Sequence, residues 1–286
     1  MILFKTIENL RKYLDTQRKN GNRIGFAPTM GALHTGHLSL IEAAKNGNDL
    51  SVCSIFVNPA QFNDPKDFEK YPITIERDIE MLEQSGCDLL FLPSVNEMYP
   101  QGLKQAHRYD LGYLETLLEG KYRLGHFQGV CMVVHRLLEI VMPDNLYLGQ
   151  KDYQQCMVIT RLIELIQLED RIKVHICPTL RENDGLAMSS RNMRLNKHER
   201  EKAVTIYKCL DLVKQQLKPG NLEPLKKTVL DKLEAAGFKP DYVEIADAGN
   251  LHPVSSWDGQ QKLVALIAAY LNEVRLIDNL ILTPEL

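Results

Sequence analysis

Apolar positions along the chain follow two rhythms. Short unbroken apolar runs occur at 23–28, 50–57, 88–92, 145–148 and 171–177. Runs of this kind predict strands covered on both faces, as in a parallel sheet. Between them, apolar residues recur every three or four positions, the helical spacing. Leu38 to Lys45 is one such stretch. In 73–84 the stripe is Ile75, Ile79 and Leu82, and in 129–141 it is Val130, Val133, Val134, Leu137, Leu138 and Val141. In 151–166 it is Val158, Leu162, Leu165 and Ile166. Strand and helix in alternation predict an α/β fold with a doubly wound, Rossmann-like parallel sheet. After Arg191 the rhythm changes. Helices are expected at 196–217 and 222–236 around a Lys-Pro-Gly break at 218–220, followed by strands at 241–246, 262–270 and 274–282. The chain therefore reads as a first domain over 1–178 and a smaller α+β domain over 179–286, expected to act as a lid. The stretch 95–128 has little periodicity, and long connections of that kind often carry function.

Composition narrows the class. Hydrophobic residues make up 44% of 286 residues, enough for a sizeable core. A net charge of −3 with both signs interspersed argues against a nucleic-acid-binding surface. Six cysteines at 53, 87, 131, 156, 177 and 209 form no Cys-x-x-Cys pair, so buried free thiols and a reducing, cytoplasmic setting are expected. The start of the chain does not read as a signal peptide, and no apolar run reaches the length of a membrane span.

The chemistry concentrates where strands hand over to helices. Pro28-Thr-Met-Gly-Ala-Leu-His-Thr-Gly-His37 follows one strand and opens a helix. A helix start offers unpaired N–H groups and the positive end of its dipole, a setting that suits phosphate. Gly31 and Gly36 allow a close backbone approach, and His34 and His37 add two imidazole donors. The plainer alternative is that each histidine caps the helix. No Gly-Lys-Ser/Thr and no Gly-x-Gly-x-x-Gly accompanies the motif, so it is neither a Walker loop nor a dinucleotide fingerprint. Asn58 and Gln61, just past the second strand, are neutral amides suited to hydroxyls and carboxylates, or else parts of an Asn-Pro turn. Gly149, Lys151 and Asp152 repeat the strand–glycine–helix arrangement with a cation for phosphate, although Asp152 could simply stabilise its helix start. Gln155 lies three residues beyond Asp152. Asp184-Gly-Leu-Ala-Met-Ser-Ser-Arg-Asn192 places two hydroxyls and an arginine after a turn. It reads as a triphosphate clamp or as capping chemistry, in a segment expected to be mobile. His107, His198 and His252 read as surface residues, and no Ser-His-Asp or Cys-His arrangement is legible.

Six blocks in order resemble the pantoate–β-alanine ligase family. They are 28–37, Ile55-Phe-Val-Asn-Pro-Ala-Gln-Phe62, Tyr71-Pro-Ile-Thr with Glu76-Arg-Asp78, Gly125-His-Phe-Gln-Gly-Val130, Gly149-Gln-Lys-Asp-Tyr-Gln-Gln155 and 181–192. The resemblance implies a nucleotidyltransferase-like Rossmann fold and a two-step reaction. ATP and pantoate give pantoyl adenylate, and β-alanine then displaces AMP. It implies that Met30, Gly31, Ala32, Leu33, His34, Thr35, Gly36 and His37 line the ATP site, with His37 as proton donor and His34 and Lys151 as its catalytic companions. Gly149, Gln150, Lys151, Asp152, Leu180, Met188, Ser189, Ser190 and Arg191 would complete that site. Gln61, Gln155, Asn58, Tyr71, Arg123, Val133 and Val134 would form the pantoate and β-alanine pocket, and Asp78 would contact Mg²⁺. A homodimer is implied in the same way. Leu124, Met132 and Leu148 depart from the family's usual residues. The rival readings are a nucleotidyltransferase with another acceptor and a non-catalytic nucleotide-binding relative. The amides at 61 and 155 disfavour the first, because a phosphorylated acceptor would want more Arg or Lys. Retention of both histidines, Lys151 and Ser189-Ser190-Arg191 disfavours the second.

Overall fold

The computed structural model describes residues 1–103 and 107–282. Two compact units divide the chain. The first holds Met1–Gln150 and Gln155–Pro178, and the second holds Lys151–Gln154 and Thr179–Leu286.

The first unit begins with β1 (Ile2–Phe4), α1 (Ile7–Lys19), β2 (Ile24–Thr29), α2 (Thr35–Gly47) and β3 (Leu50–Ile55). It continues through α3 (Pro65–Glu69), α4 (Ile75–Gln84), β4 (Leu89–Phe91), α5 (Val95–Met98), α6 (Leu118–Tyr122) and α7 (His126–Val141). It ends with β5 (Asn145–Gly149), α8 (Tyr153–Leu165), whose first two residues belong to the second unit, and β6 (Lys173–Cys177). The strands form one parallel sheet in the order β1-β4-β3-β2-β5-β6. Connections leave β2 towards β3 and β4 on one side, and β5 and β6 lie on the other. The strand order thus reverses between β2 and β5. In sheets of this type ligands bind outside the carboxyl ends of the strands at that reversal. The turns after β2, β3 and β5 begin the chemistry of the candidate blocks 28–37, 55–62 and 149–155.

Apolar runs without alternation explain why these strands sit inside. Val52, Cys53, Leu89, Leu90, Phe91, Phe26 and Ala27 are buried, and Ile41, Ala44 and Leu82 of α2 and α4 share one apolar cluster with Ala27, Cys53 and Leu90. The far end of α2 is tied to β5 by a polar network. Asn48 Nδ2 donates to Tyr147 Oη at 3.0 Å, Asn145 Nδ2 donates to Asn48 Oδ1 at 2.6 Å, and His175 Nε2 meets Asn145 Oδ1 at 2.7 Å. This network fixes the helix whose opposite end carries the histidines.

The second unit holds α9 (Lys197–Ala203), α10 (Thr205–Gln216), β7 (Gly220–Asn221), α11 (Glu223–Ala235), β8 (Lys239–Asp247), β9 (Ser256–Trp257), β10 (Leu263–Leu271) and β11 (Val274–Ile281). Strands β11, β10 and β8 form an antiparallel sheet. Ile206, Leu210 and Val213 of α10 and Val229 and Leu233 of α11 belong to the apolar core of that sheet. The helix expected over 196–217 is divided at Val204, whose backbone stays in the right-handed helical region (φ −59°). Lys151–Gln154 departs from the expected domain limits. Asn279 Nδ2 donates to the Lys151 carbonyl at 2.9 Å, and Tyr153 Oη donates to the Ala248 carbonyl at 2.7 Å. These bonds attach the 151–154 turn to the second unit.

Candidate active site

Block 28–37 leaves β2 through an unusual backbone. Gly31 and Ala32 both have positive φ, 82° and 48°. Glycine adopts this region freely and alanine does not, so the turn needs external support. Asp78 on α4 supplies it. Its Oδ2 accepts from the Ala32 N–H at 2.9 Å, and its Oδ1 accepts from the Leu33 N–H at 2.8 Å and from Thr74 Oγ1 at 3.0 Å. The Asp78 side chain is buried, with its residue only 1% exposed. A Cβ on Gly31 would stand 3.0 Å from Asp78 Oδ2, so the carboxylate also limits that position to glycine. This geometry makes Asp78 the support of the turn.

Helix α2 begins at Thr35 with no acidic residue in its first turn, which leaves the positive end of the dipole uncompensated by the helix itself. The rings of His34 and His37 lie 4.0 Å apart, and His37 Nδ1 accepts the His34 backbone N–H at 3.3 Å. The capping alternative is therefore partly right, and it has a chemical consequence. With Nδ1 accepting, the neutral ring carries its proton on Nε2.

Past β3, Asn58 and Gln61 open a 3-10 turn, Pro59–Gln61. Asn58 is 0% exposed and closes a network with Gln61, Ala60, Gly129 and Tyr99. Gln61 Nε2 donates to Met30 Sδ at 2.9 Å, which brings the amide turn against the histidine block. Helix α7 fits tightly behind this turn. A Cβ on Gly129 would come within 2.1 Å of the Ala60 carbonyl oxygen, and His126 Nδ1 lies 2.7 Å from the Gln61 carbonyl oxygen. His126, Gly129 and Tyr99 are contributors that sequence reasoning missed. His126 and Gly129 entered only as members of the 125–130 block, and nothing in the sequence pointed to Tyr99. Tyr71 is buried with its ring edge-on to Phe62. Arg123 pairs with Glu119 at 3.5 Å and reaches Asn63 Oδ1 at 3.5 Å. Val133 and Val134 are buried on α7, and Leu124, one of the departures, is 79% exposed. Gly149 closes β5, and a Cβ built there meets nothing within 4 Å.

The second unit organises its candidates separately. Lys151 Nζ lies 3.6 Å from Asp152 Oδ1. Residues 180–188 double back, with the Met188 N–H donating to the Leu180 carbonyl at 3.1 Å and Glu182 N–H to the Leu186 carbonyl at 2.8 Å. Firm contacts anchor the neighbouring residues. Arg181 holds buried Asp278 with bonds of 2.6 and 3.0 Å and stacks 4.5 Å from the Tyr207 ring, while Arg200 bridges Glu182 and Asp184. Burial drives the Asp278 carboxyl upward, and the Arg181 guanidinium opposes that shift. Ser189 Oγ accepts the Arg191 N–H at 3.3 Å, so capping explains that hydroxyl, while Ser190 is buried. His107, His198 and His252 are exposed, and all six cysteines are free, five of them buried. Among the described residues no cluster of three His, Cys, Asp or Glu side chains could hold a metal ion. No helix among them is long and apolar enough to cross a membrane.

A helix opened by two histidines at the reversal of a parallel sheet defines a Rossmann-like nucleotide-handling α/β enzyme. Comparison with known proteins specifies it. The family model for pantoate-beta-alanine ligase matches residues 2–281. The pantothenate synthetase of Cytophaga hutchinsonii is 44% identical over 290 residues, covering 99% of each chain. The solved pantothenate synthetase of Thermus thermophilus is 40% identical with a TM-score of 0.90, covering 99% of this chain and 100% of that one. A pantoate-beta-alanine ligase of Francisella tularensis, solved with beta-gamma ATP and beta-alanine, is 38% identical with a TM-score of 0.82, covering 98% and 97%. The chain belongs to the pantoate–β-alanine ligase family and is an ATP-using ligase.

Proposed function

We propose that the chain condenses pantoate with β-alanine in two steps on the residues described above. In the first, a pantoate carboxylate oxygen attacks the α-phosphorus of ATP, forming a P–O bond as the bond to pyrophosphate breaks. In the second, the β-alanine amine attacks the carbonyl of the acyl adenylate, a C–N bond forms, AMP leaves, and the amine's proton passes to solvent. Neither step needs a serine or cysteine nucleophile. Charge develops on phosphoryl oxygens and on departing pyrophosphate, so the protein's task is placement and charge stabilisation.

The observation that carries this reading is the Gln61 Nε2 contact with Met30 Sδ, because it joins an amide suited to an acid with the turn suited to phosphate. His37, with Nδ1 accepting from backbone, would present an Nε2 proton to the leaving pyrophosphate, with His34 beside it. Met30 to His37 and Gly149 to Asp152 would serve ATP, with Lys151 as the cation, as would Leu180 and Met188 to Arg191. The open space at Gly149 supports this, since protein packing does not demand a glycine there. Gln61, Gln155, Tyr71, Arg123, Val133 and Val134 would hold pantoate, and Asn58 would act through Gln61. Mg²⁺ would arrive as part of the ATP substrate. Asp78 does not fit as its protein ligand, because its oxygens are buried and already accept three hydrogen bonds. Free, buried cysteines support a cytoplasmic enzyme, and a homodimer follows from the resemblance, to be checked by light scattering.

ATP–pyrophosphate exchange tests the reading. Exchange should require pantoate and proceed without β-alanine. Exchange independent of pantoate, or dependent on β-alanine, would contradict it.

A further inference from the structure

The amides of the acid pocket are oriented by a residue outside the six family blocks. Asn58 has four partners. Its Oδ1 accepts from the Ala60 N–H at 3.3 Å and from Tyr99 Oη at 3.0 Å, and its Nδ2 donates to the Gly129 carbonyl at 3.1 Å and to Gln61 Oε1 at 3.3 Å. Two of these partners admit one role each. A backbone N–H only donates and a backbone carbonyl only accepts. They fix which end of the Asn58 amide is oxygen, and the Tyr99 hydroxyl must then donate to it. With Nδ2 facing Gln61, the Gln61 amide turns its oxygen towards Asn58. Its NH₂ group is left to face Met30 Sδ.

We propose that Tyr99 is a positioning residue that, through Asn58, holds Gln61 with its NH₂ group towards the acid substrate and so sets the pocket's preference for an anionic oxygen acceptor. The inference rests on the reading of Gln61 as a pantoate-binding group. Tyr99 is well placed for the task. It ends α5, its N–H donates to the Val95 carbonyl at 2.8 Å, and its ring lies 6.0 Å from that of Phe56. Burial pushes its phenol up, so the group stays a protonated donor across the working pH range. Without the hydroxyl, Asn58 Oδ1 keeps only the longer bond from Ala60. The Gln61 amide is then less firmly held, and a flip would offer its oxygen to a carboxylate that it repels.

The test compares Tyr99→Phe with the unmodified protein in pyrophosphate exchange, because this variant keeps the ring and removes one donor. The pantoate KM should rise about threefold to tenfold, the loss expected for one net hydrogen bond, while kcat and the ATP KM stay within about twofold. Asn58→Asp should act more strongly. A carboxylate there cannot donate to Gln61 and would draw its NH₂ inward. Adding Tyr99→Phe to Asn58→Asp should then cost little further. Should Asn58→Asp fail to fold, Tyr99→Phe decides alone. An unchanged pantoate KM, or an equal loss in kcat and ATP KM, overturns the role of Tyr99 and leaves the ligase reading standing. Pantoate-independent exchange by the unmodified protein overturns that reading, and this inference with it.

Discussion

The histidine turn at 28–37 and the amide corner at 58–61 lie side by side, yet they are built in opposite ways. In the turn, the backbone is held from below by buried Asp78, and the imidazoles of His34 and His37 stand half-buried at a helix start. In the corner, the amide of Asn58 is consumed by the protein, and only Gln61 turns a group towards Met30. The difference matches the chemistry. On the proposed assignment phosphate gains and sheds charge during the reaction, so its side needs groups whose strength changes with that charge. The acid has only to be held with the right oxygen forward, so a closed network that fixes polarity suffices.

Breaking the phosphate side should have the largest effect. Lys151→Ala is expected to lower the exchange rate at least about 10²-fold, the scale for losing a charge-stabilising group. A near-normal rate measured with saturating ATP would remove Lys151 from the phosphate side. Asp78→Ala comes next. It strands two buried N–H groups and should cost about 2–4 kcal/mol in a urea titration, together with most of the exchange activity. A variant of normal stability that loses activity only through weaker Mg²⁺ dependence would restore the metal role to Asp78. Asn279→Ala removes the bond to the Lys151 carbonyl and should raise the ATP KM by about threefold to tenfold, with the pantoate KM unmoved. The smallest effect tests whether thiols matter to either region. Burial raises Cys87 to about 11 and Cys131 to about 12, which keeps their thiolates scarce at pH 8. Alkylation at that pH should mark part-exposed Cys177 first and leave the exchange rate intact, as read by mass spectrometry alongside the assay.

The two regions also differ in how far the sequence reveals them. Strands β2, β3 and β5 and helix α2 were legible because local patterns make them: unbroken apolar runs, then glycine, then helical spacing. The histidine turn was legible for the same reason, since its chemistry lies within ten residues. Its support was not. Asp78 reaches back 45 and 46 positions to Leu33 and Ala32, Tyr99 reaches 41 positions to Asn58, and His126 reaches 65 to Gln61. Hydrogen bonds over such separations leave no periodicity to read. Arg181 and Asp278 are 97 positions apart, so the anchor of the strand-like stretch before 184–192 leaves no local pattern either. Helix α1 escaped notice for another reason. Ile7, Leu10 and Leu14 carry helical spacing, but the helix lies ahead of the first strand of the histidine block and bears no candidate chemistry.

The division of labour between the two regions is tested most directly by measuring pantoate-dependent pyrophosphate exchange in His37→Ala and Gln61→Ala side by side. The account predicts that His37→Ala lowers the rate at saturating pantoate about 10²-fold with the pantoate KM within about twofold. Gln61→Ala should raise the pantoate KM at least about tenfold and lower the saturated rate far less. The opposite assignment, with the histidine variant weakening pantoate and the glutamine variant lowering only the saturated rate, would contradict it.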